Sequence, residues 1–335
     1  MKILILQLKR IGDLILTTPP LVALREHFPQ AHLTLCVMEG CAGLLPAIPG
    51  VDETLVVKRR GSNAALWWKL ARGRFDLCLD FTGNDRSAFL SLLSKANRRL
   101  AFGWVRKSAF RPLFYNELVD SSVRENHTVD HQLDLLRPLG IEARGAAAPP
   151  VTLLLPPESR QRASSLLCEV GLGDCHGKYV VAHPGTARAE KYWEPERWAA
   201  VIDHCQEKLG LPCVITGSPD AFETAHIAAI QAAMRTPARD LSGKMDLLVL
   251  AALIERASLL VSMDSAPVHF GAAFRTPQVS LFGQTNPFHW HPRHPSAVTL
   301  LAGDSGAGAF APRFHRKPLS DLSTQRVIDA IGSLL

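Results

Sequence analysis

Short apolar runs alternate with longer segments whose apolar residues recur at helical spacing along almost the whole chain. Residues 2–8 (KILILQL) read as a buried strand, and a polar loop, KRIGD at 9–13, leads into a helix over 14–28. Further strands are predicted at 33–38, 53–57 and 75–81, with a basic helix at 63–74 before the last of them. Helices at 87–95 and 127–139 complete the first half; the second carries Leu133, Leu136 and Leu139 on one face, with Gly140 just past its end. Later the alternation becomes regular. Strands at 179–182, 212–216, 259–262 and 278–282 interleave with helices at 195–209, 222–234, 247–256 and 266–274, and a last helix covers 320–335. Strand–helix–strand order with short β-rich apolar runs implies α/β architecture, with parallel sheets covered on both faces.

Between the halves, 143–150 consists mainly of small residues ending in Pro149-Pro150, and a second Pro-Pro follows at 156–157. Such a stretch neither continues a helix nor joins a central strand, so the linker is placed here. The 335 residues suit two domains at roughly 100–200 residues each. The expected division is 1–150 and 151–319, followed by the helix at 320–335. Two doubly wound domains would face a central cleft, with ligands at the carboxyl ends of the strands, so the loops that follow strands matter most.

Composition removes several classes. With 47% hydrophobic and 20% charged residues the chain is not of the disordered type. No run approaches 18 uncharged apolar residues, and the opening run Ile3–Leu6 is too short for a signal peptide. Seven cysteines without a C-x-x-C fit free buried thiols in a reducing compartment, so a cytoplasmic location is expected. The net charge of +6 lies wholly in the first 155 residues, and 58–124 alone holds 14 basic and 5 acidic residues. That bias predicts an anionic partner for the first half. No strong amphipathic basic helix is evident.

Motifs narrow the chemistry further. There is no G-x-G-x-x-G, no Walker A and no Asp-x-Asp, which disfavours dinucleotide oxidoreductases, P-loop enzymes and a divalent metal beside a diphosphate. Three loops remain. In Lys9–Asp13, Gly12 permits a tight turn and Asp13 sits where a helix start favours a carboxylate; helix capping is its plainer role. In 183–191 (HPGTARAEK), small residues and a hydroxyl let backbone N–H groups approach an anion, and Lys191 adds a point charge. In 264–269 (DSAPVH), Pro267 suits a first helical turn that Asp264 or Ser265 caps, and His269 reads equally well as a core histidine.

Together these loops resemble the lipopolysaccharide heptosyltransferases, glycosyltransferase family nine. The similar segments are ILILQLKRIGDLILTTP at 3–19, FDLCLDFTGNDRSA at 75–88, HPGTARAEKYWEPERW at 183–198, LSGKMDLLVLAALI at 241–254 and VSMDSAPVHFGAAFRTPQVSLFGQTNP at 261–287. Met-Asp-Ser-Ala-Pro and Phe-His-Trp at 288–290 look most like the heptosyltransferase III branch. The resemblance implies a GT-B architecture of two Rossmann-like domains, the first binding the acceptor, the second the nucleotide-sugar, and the last helix packing back on the first domain. It implies ADP-heptose as donor, inversion at the anomeric carbon, no cofactor and no required metal. Asp13 matches the family's catalytic base, Lys191 its diphosphate-contacting lysine and Asp264 its donor-sugar contact. Thr186, Ala187, Ser265 and Ala266 match positions lining the diphosphate, and Met245 the residue beside adenine; His269 is counted with the donor residues. Ala187 and Ala266 can offer only backbone N–H groups.

The basic stretch then has a role: Lys58-Arg59-Arg60, Arg98-Arg99 and Arg106-Lys107 would grip phosphates or acidic sugars of a lipopolysaccharide core. The lipid-linked acceptor would bring the protein to the cytoplasmic face of the inner membrane. His289, His291 and His294 fit a structural or surface role better than a metal site. Two other readings stand beside this one. The first is a transferase using another nucleotide-sugar. The second is a nucleic-acid binder stacking bases on Phe102, Trp104, Phe110, Phe114 and Tyr115, which leaves the three loops unexplained and is disfavoured.

Overall fold

Six parallel strands, β1 (Lys2–Gln7), β2 (His32–Met38), β3 (Glu53–Val57), β4 (Leu77–Asp80), β5 (Arg98–Phe102) and β6 (Glu117–Val119), form the first sheet in the order β3-β2-β1-β4-β5-β6. The winding therefore reverses between β1 and β4. The computed structural model describes residues 1–173, 177–303 and 310–335, divided into units Met1–Leu154 and Leu155–Leu335. In the second unit β7 (Val180–His183), β8 (Cys213–Ile215), β9 (Arg239–Asp240), β10 (Leu259–Met263), β11 (Gln278–Phe282) and β12 (Ala297–Leu301) repeat that topology, in the order β12-β11-β10-β7-β8-β9. The reversal now falls between β7 and β10. Both units thus have the doubly wound α/β form expected from the sequence.

Helices α1 (Ile11–Ile15), α2 (Thr18–His27), α3 (Ala64–Arg72), α4 (Asp85–Leu93) and α5 (Thr128–Asp134) belong to the first unit. The single helix predicted over 14–28 is in fact α1 and α2, because Pro19 and Pro20 lack the N–H of a helix interior and fit only the first turn of α2. On one sheet face Leu66, Leu70 and Leu90 of α3 and α4 pack over Leu4, Leu6 and Cys78. β5 went unread because it opens on Arg98-Arg99.

The second unit holds α6 (Pro157–Glu169), α7 (Pro195–Glu207), α8 (Ala221–Ala233), α9 (Leu247–Arg256), α10 (Ala266–Phe274), α11 (Pro287–Trp290) and α12 (Thr324–Gly332). Pro157, assigned to the linker, instead opens α6, as a first-turn proline can. Residues past 150 stay with the first unit: Thr152 N donates to Thr18 Oγ1 at 3.0 Å and Leu154 N to Ala47 O at 2.9 Å.

The last helix lies within the second unit. Val327, Ala330 and Ile331 of α12 are buried in the second unit's own core with Trp193 and Trp198. Trp193 Nε1 donates to Leu322 O at 3.1 Å, and the Arg197 guanidinium donates to Ser320 O and Leu322 O at 2.8 and 2.5 Å. These bonds fix the segment before α12 at the start of α7.

Six described cysteines are free, five of them buried and Cys168 exposed; Cys175 lies outside the described residues, as does part of the Gly- and Ala-rich stretch before 310. Among the described residues no helix is long and apolar enough to cross a membrane.

Candidate functional site

In the first unit the loops after β1 and β4 flank the point where the winding reverses, which is where an open α/β sheet binds ligands. Asp13 is the third residue of α1, and the backbone N–H of the capping residue Arg10 donates to its Oδ2 at 3.3 Å. Its carbonyl accepts from Thr17 Oγ1 at 2.7 Å, from Gln132 Nε2 of α5 at 3.4 Å and from Gln7 Nε2 at 3.5 Å. The backbone that carries the carboxylate is therefore anchored from three elements. Burial raises the Asp13 carboxyl above the usual aspartate value, against the opposing charges of Lys9 and Arg10.

The neighbouring loop is pinned by a buried carboxylate absent from the sequence reading. Asp80, at the end of β4, accepts from Thr82 N at 2.7 Å, Gly83 N at 2.9 Å and Tyr115 Oη at 2.5 Å. Thr82 Oγ1 in turn accepts from Leu8 N at 2.7 Å, tying the β4 loop to the β1 loop. Burial raises Asp80 as well, with Ser87 and Tyr115 the main opposing donors. An aspartate closing an otherwise apolar strand was the signal available for it.

The basic candidates separate by position. Lys58–Arg60 follow β3, and Arg106 and Lys107 lie in the 3₁₀ turn after β5, so all five stand on the carboxyl rim with Asp13. Arg106 is paired with Asp120 at 2.5 Å. Arg98 and Arg99, by contrast, open β5 at the amino end of the sheet. The Arg98 guanidinium pairs with Glu117 at 2.6 Å, and that of Arg99 donates to Phe114 O at 2.9 Å and Ala96 O at 2.7 Å. Those two are fixings of the strand edge, on the opposite end from the loops, and the acceptor assignment is withdrawn for them. Arg86, in the first turn of α4, joins the rim instead.

In the second unit the corresponding loops follow β7 and β10. Lys191 Nζ meets Asp264 Oδ2 at 2.5 Å and Asp264 O at 3.3 Å, with both side chains only 13% exposed. An ammonium has three N–H donors; these contacts occupy two, and the third can reach an anion. Asp264 directly precedes Ser265, the capping residue of α10, whose first N–H groups have no partner in the helix's own ladder. A partial positive pole thus lies beside the Lys191 ammonium. Thr186 and His269 are buried at this end of the sheet, and burial brings the His269 imidazole down to about 4, so it is neutral at pH 7. Its Nδ1 has no partner among the described residues. Met245 is half-buried just ahead of α9, in a loop held to the β8 loop by Gly243 N donating to Gly217 O at 2.8 Å. Ala187 is exposed.

Glu223 of α8 was missed. Its carboxylate accepts from Ser218 N at 2.9 Å and Ser218 Oγ at 2.7 Å and lies against Gly185, where a Cβ would collide with Oε1. Gly185→Ala is expected to cost about 1–3 kcal/mol of stability through this overpacking, read as a lowered Tm; an unchanged Tm would mean the loop has room that the contact denies. His291 Nδ1 donates to Pro287 O at 2.8 Å, and His294 Nε2 meets the Gln278 amide at 2.8 Å, so these histidines serve the loop.

Comparison with known proteins gives a consistent picture. The family described as Glycosyltransferase family 9 (heptosyltransferase) matches residues 63–313. Lipopolysaccharide heptosyltransferase 3 of Escherichia coli is 29% identical over 303 residues, covering 88% of this chain and 86% of its own, in line with the branch that the motifs resemble. Among solved structures, the glycosyl transferase family 9 protein of Veillonella parvula superposes with a TM-score of 0.85 at 28% identity, over 99% of this chain and 96% of that one. The E. coli heptosyltransferase WaaC with ADP gives a TM-score of 0.76 at 20% identity over the whole of both chains, a likeness of fold.

Proposed function

The chain belongs to glycosyltransferase family 9 (heptosyltransferase) and has the GT-B fold of its relatives, and from that premise we propose that it transfers heptose from ADP-heptose to a hydroxyl of an anionic lipopolysaccharide core, with inversion at the anomeric carbon. The observation that supports the reading is the Lys191–Asp264 pair at the start of α10, a cation beside free backbone N–H groups, the combination that would stabilise a departing diphosphate.

The acceptor hydroxyl is a poor nucleophile. As its oxygen bonds to the anomeric carbon, its proton passes to the Asp13 carboxylate, and the bond from that carbon to the ADP oxygen breaks on the opposite side. An unperturbed aspartate sits near 4 and is a weak base; burial raises Asp13 and makes its carboxylate a better one. On the donor side Lys191 and the N–H groups of Ser265 and Ala266 stabilise the charge that ADP acquires. Thr186 and Ala187 add contacts to the diphosphate, Asp264 orients heptose hydroxyls, neutral His269 stands by on α10, and Met245 packs beside adenine. Lys58, Arg59, Arg60, Arg106 and Lys107 attract the acceptor's anionic groups.

The test is a mass-spectrometric transfer assay pairing ADP-heptose with truncated lipopolysaccharide cores of different length. A heptose added to one core class is expected; faster turnover with a UDP- or GDP-sugar would overturn the donor. The pH profile offers a second check. Activity requires ionised Asp13, so kcat/KM falls as pH drops through a carboxyl value above the ordinary 3.8. Lys9 lowers that value, so Lys9→Ala is expected to move the acid limb to higher pH. An acid limb that stays in place would remove Asp13 as its origin.

A further inference from the structure

Several features lie outside the proposed chemistry, and one of them is a continuous outer surface. Helix α3 buries only Leu66 and Leu70, and it turns Trp67 and Trp68 outward, the latter 61% exposed. The Trp67 ring stands edge-on to Phe89 of α4 at 5.7 Å, which joins the outer sides of the two helices. Leu92 continues the face along α4. In the 3₁₀ segment packed against α4, Phe110 and Leu113 are 72% and 74% exposed. These six side chains are 44–74% exposed, and so many exposed large apolar groups on neighbouring elements mark a contact surface.

Its edges are cationic. The Arg72 guanidinium lies over the Trp68 ring, 4.4 Å from its centroid. Arg86, Lys95 and Lys107 are exposed one turn or so from Phe89, Leu92 and Phe110. The whole segment 58–124 carries net +9. The sequence showed no strong amphipathic basic helix, yet α3 is one once its buried and exposed faces are known.

We infer that the outer face formed by α3, α4 and residues 110–113 docks this protein on an anionic lipid bilayer. Tryptophans beside cations suit the headgroup layer, where indole rings settle and acidic lipids attract each nearby Lys or Arg. Charge argues against the other occupant. Two copies meeting through this face would bring together two segments of the same strong positive sign. The inference goes beyond the proposed reaction, since docking needs neither donor nor acceptor.

The experiment is sedimentation of the full chain with vesicles of phosphatidylethanolamine and phosphatidylglycerol (3:1), against phosphatidylcholine vesicles, in 50 and 500 mM salt. Binding to the anionic vesicles is expected to be at least tenfold tighter than to phosphatidylcholine and to weaken in high salt. Trp67→Ser with Trp68→Ser should reduce it at least tenfold, and Phe110→Ser with Leu113→Ser should act in the same direction. Both variants should keep the wild-type Tm and the wild-type rate on a water-soluble, deacylated core. Equal binding to both vesicle types, or undiminished binding by both variants, overturns the inference. So does a wild-type dimer that the Trp pair converts to monomer without any vesicle binding, or tighter binding to a single-stranded oligonucleotide than to the anionic vesicles. Vesicle binding by a protein that fails to transfer heptose would count against the proposed reaction alone.

Discussion

Asp13→Asn is expected to lower kcat by about 10²–10⁴-fold, the usual worth of a general base, while Tm stays level or rises. The second half of this expectation follows from the direction of the pKa shift. Burial raises the Asp13 carboxyl, so the folded protein holds that proton more tightly than the unfolded chain does. The ionised form therefore works against folding. That cost is absent below the unfolded-state value, grows as pH rises through the folded-state value and is fully present at neutral pH. Asparagine removes the charge, and its amide oxygen can still accept from Arg10 N. A residue serving only as a helix cap would keep wild-type turnover in the same variant. Steady-state kinetics beside a thermal melt at pH 7 separates the two, and wild-type turnover would remove Asp13 from the chemistry.

Lys191→Met is expected to lower kcat/KM by about 10²–10³-fold, the effect of losing one preorganised donor to a developing oxyanion. It should also lower stability, because the Asp264 carboxylate, 13% exposed, loses the cation 2.5 Å away. Stranding one member of a largely buried pair costs about 3–5 kcal/mol. Adding Asp264→Leu to Lys191→Met should restore most of the lost Tm, since it removes the stranded charge. The kinetics of the single variant are best taken at a temperature where it remains folded. A folded Lys191→Met protein with wild-type kcat/KM would refute the diphosphate role.

Much of the scaffold was legible because the strands nearest each reversal, β1, β4, β7 and β10, are nearly continuous apolar runs bounded by polar loops. Such runs announce parallel strands buried on both faces, and the loops after them announce the sites. β5 escaped because only Leu100–Phe102 of it is apolar, while Arg98 and Arg99, which pair with Leu77 and Cys78 of β4, give it the look of a charged loop. The same two arginines misled the acceptor assignment. Net charge says which half of the chain holds the excess of cations, but not which end of a sheet a given arginine occupies. Pairing of residues distant in sequence was equally invisible: 73 positions separate Lys191 from Asp264, and 35 separate Asp80 from Tyr115. Asp80 stood at the end of an apolar strand, and only the fold shows that it fastens one loop to another. The amphipathic character of α3 was hidden in a similar way. Two adjacent tryptophans lie within the basic helix at 63–74, and their outward side shows only once Leu66 and Leu70 are seen to fill the core side.

The capture of α12 by Trp193 and Arg197 has a practical bearing on recombination between relatives. An exchanged second unit would be cut between Leu154 and Leu155 and would have to take the last sixteen residues along with it. A chimera that kept the host's tail would seat a foreign helix on Trp193 and Trp198. Its mismatch would be felt first in the fragment carrying Lys191, two residues from the first of those indoles.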